Sequence, residues 1–257
     1  MNTIYMPEFY PGAFSRRARL RMEHDEPVPL FLANWSNAIF VHYETDPAAL
    51  QSCVPFQLDL HEGKAYVSLV AFTLDHMRPG IADGRLGEWL MRPIAPCQFL
   101  NVRTYVKNGR ETGIYFLAEW LSCLLAIPLG PVMFGLPYRF GTFNYNRKLS
   151  AEVCSRKHGR LAFSATRDRT ADFGPSSSGS LDEFLLERYA AFTEWEGIKR
   201  FFRVWHEPWR QIPLSMRMEE ESLLFSTGQW MHHATCIGGN YSTGVTNVQM
   251  GRPRLVR

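Results

Sequence analysis

The run of residues 113–141, GIYFLAEWLSCLLAIPLGPVMFGLPYRFG, is the most apolar stretch of the chain, and it carries one acid, Glu119, in its interior. Burying an unpaired carboxylate costs several kcal/mol. A fold that buries this run must therefore pair Glu119 or keep it neutral. A membrane span takes about 20 consecutive apolar residues. Glu119, Pro128, Pro131 and four glycines interrupt the run, and residues 121–127 alone are too short. The run reads as a buried strand followed by a buried helix, with no membrane partner.

Residues 99–106 and 113–120 flank Asn108-Gly109, a tight-turn signal, and so predict a β-hairpin. Alternation places Tyr115, Leu117 and Glu119 on one face, and Ile114, Phe116, Ala118 and Trp120 on the other. On the partner strand Asn101, Arg103 and Tyr105 share a face. A register that sets Arg103 near Glu119 would neutralise both inside a barrel. The alternative is a pocket acid with a raised pKa. Residues 65–74 are apolar on both faces: Ala65, Val67, Leu69 and Ala71 on one, Tyr66, Val70, Phe72 and Leu74 on the other. Such a strand suits a barrel wall or a sheet covered by helices.

Residues 1–28, with four prolines among positions 7–29 nearby, read as an irregular arm, and 29–257 as one domain. Residues 38–43 read as a strand, and Asp46-Pro47 starts a short helix. Residues 78–97 read as a long loop and 122–134 as a helix ended by Gly135. Residues 140–145, 149–155 and 160–166 read as strands. Ser180 and Glu183 form a capping box for a helix running to about Trp195. Residues 198–204, 212–220 and a pair within 240–257 close the strand set.

The net charge of +3, with bases and acids interleaved, offers no nucleic-acid footprint. Trp205, Trp209 and Trp230 then read as core. Five cysteines without a CxxC spacing point to a reducing cytosol, and the N-terminus lacks a signal-peptide pattern. The expected location is cytoplasmic. No HExxH, P-loop, GxGxxG or nucleophile elbow occurs, and His232-His233 do not form a ligand pair, so neither metal nor cofactor is expected. Lysines number only five, at positions 64, 107, 148, 157 and 199, which leaves few candidates for a Schiff base.

The segments VHYETDPAALQSCVPFQLDLHEGKAYVSLVAF, FLNVRTYVKNGRETGIYF, FGLPYRF, LLERYAAF, RVWHEPW and YSTGV resemble the DUF2071 family, the YqjF-like group. Through VHYETDPAALQSCVP and GPVMFGLPYRFG, that family is similar to the acetoacetate decarboxylase-like fold. The resemblance implies an α+β fold: a cone-shaped antiparallel barrel around an interior pocket, with a few packed helices. It also aligns Tyr138 with the Schiff-base lysine of the decarboxylases, Arg139 with its cationic neighbour, and Glu44 with an arginine. A phenol forms no iminium and a guanidinium is no amine nucleophile near neutral pH, so the lysine-dependent reaction is not expected.

Tyr138, Arg139 and Glu119 are thus the candidate catalytic residues, with Arg103, Glu44, Tyr105 and His206 as substrate-binding candidates. Arg139 could pair with a carboxylate, and a cation beside Tyr138 would favour its phenolate. The bland readings are a tyrosine filling volume, an arginine paired elsewhere, a Glu44 facing solvent and a hydrogen-bonded structural His206. The expected function is a small-molecule pocket acting on a carbonyl or carboxylate compound by lysine-independent, lyase-like acid/base chemistry. The alternative is a non-catalytic barrel that holds an apolar or acidic ligand. The partner is a small molecule, and the arm would suit a homo-oligomer contact.

Overall fold

Alternation of aromatic and β-branched residues makes strand the dominant element of this chain. A computed structural model describes residues 13–82, 84–146 and 149–256. The strands are β1 (Phe31–Thr45), β2 (Gln57–Leu58), β3 (Ala65–Pro79), β4 (Cys97–Asn108), β5 (Glu111–Leu121), β6 (Tyr138–Phe140), β7 (Thr142–Asn146), β8 (Ser150–Ser155), β9 (Gly159–Arg167), β10 (Ala190–Trp195), β11 (Ile198–Trp205), β12 (Gln211–Glu220), β13 (Thr235–Met250) and β14 (Arg254–Leu255). The helices are α1 (Ala13–Asp25), α2 (Pro47–Gln51), α3 (Arg85–Met91), α4 (Leu129–Phe134), α5 (Leu181–Leu186) and α6 (Ser222–Phe225), with single 3-10 turns at Leu124–Ala126 and Gln229–His233. No helix among the described residues is long and apolar enough to cross a membrane.

The pairing runs β11–β10–β5–β4–β3–β1–β13, and β11 also meets β13 through Val204–Met250 and Trp205–Gln249. Seven strands therefore close into a ring. Pairing is antiparallel except where β10 and β6 run parallel to β5. Gly113 permits that parallel approach: a Cβ there would lie 2.5 Å from the Ala190 carbonyl oxygen. Beyond β13 the sheet continues through β12, β9, β8 and β7.

Two cores result. Phe40, Val70, Phe72, Phe99 and Phe116 pack inside the ring. Val41, Leu69, Val102 and Trp120 on its outer face pack with Val153, Leu161 and Trp230 from the continuing limb. This explains the two apolar faces of residues 65–74, which divide between the cores as alternation predicts. Each fully buried large side chain contributes on the order of 2 kcal/mol.

The expected faces of β5 need correction. Asn101 lies opposite Glu119 and Val102 opposite Ala118, but Arg103 lies opposite Phe116. Leu117 is the extra residue of a β-bulge, which reverses the alternation. Ile114 and Phe116 face inward on one side of it, and Glu119 and Leu121 on the other, while Tyr115, Leu117, Ala118 and Trp120 face out.

Four segments also differ from expectation. Residues 78–97, expected as a loop, hold the end of β3 and the helix α3. Residues 13–25 are helical, and α1 docks on the ring where Ser15 Oγ donates to the His206 carbonyl (2.9 Å) and Trp205 Nε1 donates to the Ser15 carbonyl (3.1 Å); residues 1–12 lie outside the described residues. Ser180 caps its helix, with Oγ accepting from the Glu183 amide, but the Glu183 carboxylate accepts from the Gly179 amide rather than closing the box on Ser180, and the helix ends at Leu186 while residues 190–195 form a strand. The buried helix expected at 122–134 is a 3-10 turn and the short α4, with Leu124, Leu125, Leu129 and Val132 exposed. The prolines at 128 and 131 remove the amides a continuous helix would use.

Candidate functional site

The ring encloses a cavity in which about 90 Å³ is open to the centre of a water-sized atom. A single water needs about 10–15 Å³ on that measure, so the space takes several waters or one small organic molecule. Its walls are mostly apolar, with Val70, Phe72, Phe99, Phe116, Phe202 and Trp209 prominent. Trp35, Asn101, Arg103, Glu119, Tyr138, Arg188 and His206 bring polar groups to them.

Strand geometry places each of them. Asn101 and Arg103 come from the inward face of β4. The bulge turns Glu119 inward opposite Asn101. Tyr138 pairs in register with Glu119 across the parallel β5–β6 ladder, and the Glu119 amide donates to the Pro137 carbonyl at 3.3 Å. The Tyr138 ring meets Phe99 edge-on at 5.9 Å and lies over Gly130. Glycine is required there, because a Cβ would sit 2.2 Å from the ring.

Glu119 is 3% exposed, and its Oε2 has no hydrogen-bond partner. Burial alone holds its pKa well above the usual carboxylate range, which favours the neutral acid. The expected ion pair with Arg103 does not form, because the bulge breaks the register that would support it. Arg103 is 7% exposed; its Nη2 donates to the Leu185 carbonyl at 3.1 Å, its guanidinium lies 5.8 Å from the Phe40 ring centroid, and its Nε has no partner. Asn101 Oδ1 and Trp35 Nε1 are also unpartnered. Among the described residues eight buried side-chain polar atoms lack partners, and these four line one cavity. Buried polar groups are normally satisfied, so this clustering marks a place built for polar atoms the chain does not supply.

His206 Nδ1 donates to the Glu207 carbonyl at 2.7 Å, which leaves Nε2 with the lone pair. Burial lowers its pKa to about 4, so the ring is neutral. Burial, with the Glu119 carboxyl and Cys97 adding to it, keeps the Tyr138 phenol protonated. The phenolate expected from a neighbouring Arg139 has no cation to favour it. Consecutive strand residues point to opposite faces. Arg139 accordingly turns out, donating to Ser226 Oγ at 3.2 Å and lying over Trp120 at 5.1 Å.

The structure thus brings Tyr138, Glu119, Arg103 and His206 to one cavity and leaves Arg139, Glu44 and Tyr105 off its walls. Glu44 pairs with Lys64 at 2.9 Å on the surface. Tyr105 donates to the Leu185 carbonyl and shares a short hydrogen bond with Ser68, which continues through His42 to Asn240. Asn101 and Trp35 were not anticipated as site residues. Asn101 shares the alternation face of Arg103, a signal that would have included it. Among the described residues no three His, Cys, Asp or Glu side chains converge as a metal site. These groups can donate hydrogen bonds and exchange protons in a largely apolar chamber.

Known proteins agree with this architecture. The chain is 29% identical over 185 residues to YqjF of Bacillus subtilis, covering 68% of this chain and 72% of that protein. Its structure resembles acetoacetate decarboxylase from Legionella pneumophila (TM-score 0.56, 13% identity, 89% and 87% of the two chains). It also resembles a further acetoacetate decarboxylase structure (0.58, 12%, 99% and 93%). The enduracididine biosynthesis enzyme MppR complexed with pyruvate is similar to the same degree (0.56, 15%, 88% and 90%). At these identities the likeness shows the fold, which is acetoacetate decarboxylase-like. The model of DUF2071, described as an uncharacterized conserved protein, matches residues 32–244, and the chain belongs to that family.

Proposed function

We propose that the ring cavity binds a small carbonyl or carboxylate compound with an apolar body and promotes proton transfer beside its carbonyl group without a lysine imine. The clustering of unpartnered Trp35, Asn101, Arg103 and Glu119 atoms in one apolar chamber carries this reading. Arg103 Nε holds an anionic oxygen of the compound. The Tyr138 hydroxyl hydrogen-bonds the carbonyl oxygen and the Glu119 carboxylic acid gives it a proton, while His206 Nε2 takes the proton from the adjacent carbon, giving an enol, a carboxylate and an imidazolium. Bond cleavage at that carbon would make the reaction lyase-like. Among the described residues no lysine lines the cavity. The pyruvate in the MppR complex is a keto acid on a similar fold.

The test uses 4-methyl-2-oxopentanoate in D2O, with deuterium entry next to its carbonyl followed by NMR. Accelerated exchange that Glu119→Gln reduces at least tenfold is expected, and borohydride treatment should leave no lysine adduct. Binding without accelerated exchange would favour a second reading, a non-catalytic ligand barrel. One observation supports that reading: the buried His206 is a weak base, with its pKa near 4. A borohydride-stable adduct would overturn the lysine-independent chemistry.

A further inference from the structure

We propose that the arginine-lined cleft beneath α1 is an outer binding site for small organic anions and the vestibule through which they reach the ring cavity, an inference that rests on the reading above. The cleft offers about 200 Å³ to the centre of a water-sized atom. Arg17 and Arg21 of α1, Arg110 of the β4–β5 turn, Arg188 and Arg203 line it, against two acids, Glu111 and Glu187.

The acids cancel only part of this charge, chiefly that of Arg21 and Arg203. Glu111 is already held by Arg21 at 3.2 Å and by Arg203 at 3.4 Å, and Arg203 also pairs with Asp25 at 2.9 Å. Glu187 accepts from the Trp209 amide and the Tyr189 hydroxyl, and burial pushes its pKa up to about 7, so it carries only part of a charge near neutrality. Arg17 and Arg110 are exposed and have no ion pair among the described residues. A recess lined by one sign of charge between low-dielectric walls concentrates ions of the other sign.

Arg188 and Ala190 line both the cleft and the cavity, so they form the partition between them. Arg188 is held in that partition by Asp59 (2.8 Å) and the Phe184 carbonyl (2.7 Å), with its guanidinium 4.1 Å over the Phe184 ring. Exchanging Asp59 for an incoming carboxylate would keep this guanidinium paired while it moves. An anion therefore meets a graded series of cations, from the exposed Arg17 and Arg110 to Arg188 and finally Arg103.

Stopped-flow quenching of Trp35 and Trp209, which line the cavity, compares 4-methyl-2-oxopentanoate with its uncharged counterpart 4-methylpentan-2-one. In the Arg17→Glu/Arg110→Glu double variant the association rate of the keto acid should fall about tenfold or more at low salt, with its dissociation rate unchanged. The ketone should bind both proteins at one rate, and added salt should erase the difference for the acid. An unchanged association rate of the acid in the variant would overturn the vestibule while leaving the cavity reading intact. Failure of both compounds to bind wild-type protein would overturn the cavity reading and the vestibule with it.

Discussion

Replacing Glu119 by glutamine removes a titratable group while keeping its shape, and it tests whether the cavity acid is neutral. The Glu119 carboxyl is 3% exposed, lacks a cation partner, and has its pKa raised by burial. In the unfolded chain the same group titrates near the ordinary value, about 4.3. Between the two values the folded protein holds one proton more than the unfolded chain. Stability from this group is therefore complete below the ordinary carboxylate range and falls as pH rises, until the folded-state pKa is passed. The slope is about 1.4 kcal/mol per pH unit. Glu187, whose carboxyl is also raised, contributes the same slope to both proteins and cancels in the difference. Urea unfolding of the two proteins from about pH 5 upward measures the difference directly. The advantage of Glu119→Gln should grow by about 1.4 kcal/mol per unit and then level off. Parallel stability curves across this range would refute a neutral, unpaired Glu119.

Other substitutions probe the surroundings. Gly130→Ala drives a methyl to 2.2 Å from the Tyr138 ring; a loss of about 1–3 kcal/mol in thermal or urea unfolding is expected, with weaker probe binding. Arg103→Met should weaken binding of 4-methyl-2-oxopentanoate at least tenfold by calorimetry, whereas Arg139→Ala, which loses only outward contacts to Ser226 and Trp120, should leave the affinity within about twofold. Glu187→Gln removes a carboxyl that titrates near pH 7. Its stability should gain on wild type as pH rises from about 5 to about 7, and then hold constant, in urea unfolding.

Several parts of this architecture are legible in the residues themselves. The double apolar face of 65–74 declares a strand between two cores, and Asn108-Gly109 marks the hairpin, with Gly109 at φ 60°. Asn101, Arg103 and Tyr105 share the face that alternation predicts. The bulge at Leu117 is not legible, because one extra residue leaves no mark in composition, yet it decides which way Glu119 points. Residues 181–192 fit helical spacing, since Leu181, Leu185 and Phe192 recur at intervals of four and seven. The strand partners of 190–195 are 198–203, across the tight turn at Glu196-Gly197, and the distant 114–115, and tertiary pairing overrides the local pattern. The family resemblance sets Arg139 beside Tyr138 in the pocket, where the decarboxylases carry a cationic neighbour. Once β6 is seen, alternation alone separates the two. Glu44 lies at the end of β1 beside the His61–Lys64 turn, so its pairing with Lys64 follows from the strand register rather than from its neighbours in sequence.

The most direct test of the central claim is a crystal structure of the protein soaked with 4-methyl-2-oxopentanoate. The account predicts density inside the ring, with an anionic oxygen within hydrogen-bond distance of Arg103 Nε and the keto oxygen facing Glu119 and Tyr138. A compound bound elsewhere, or joined covalently to a lysine, would contradict it.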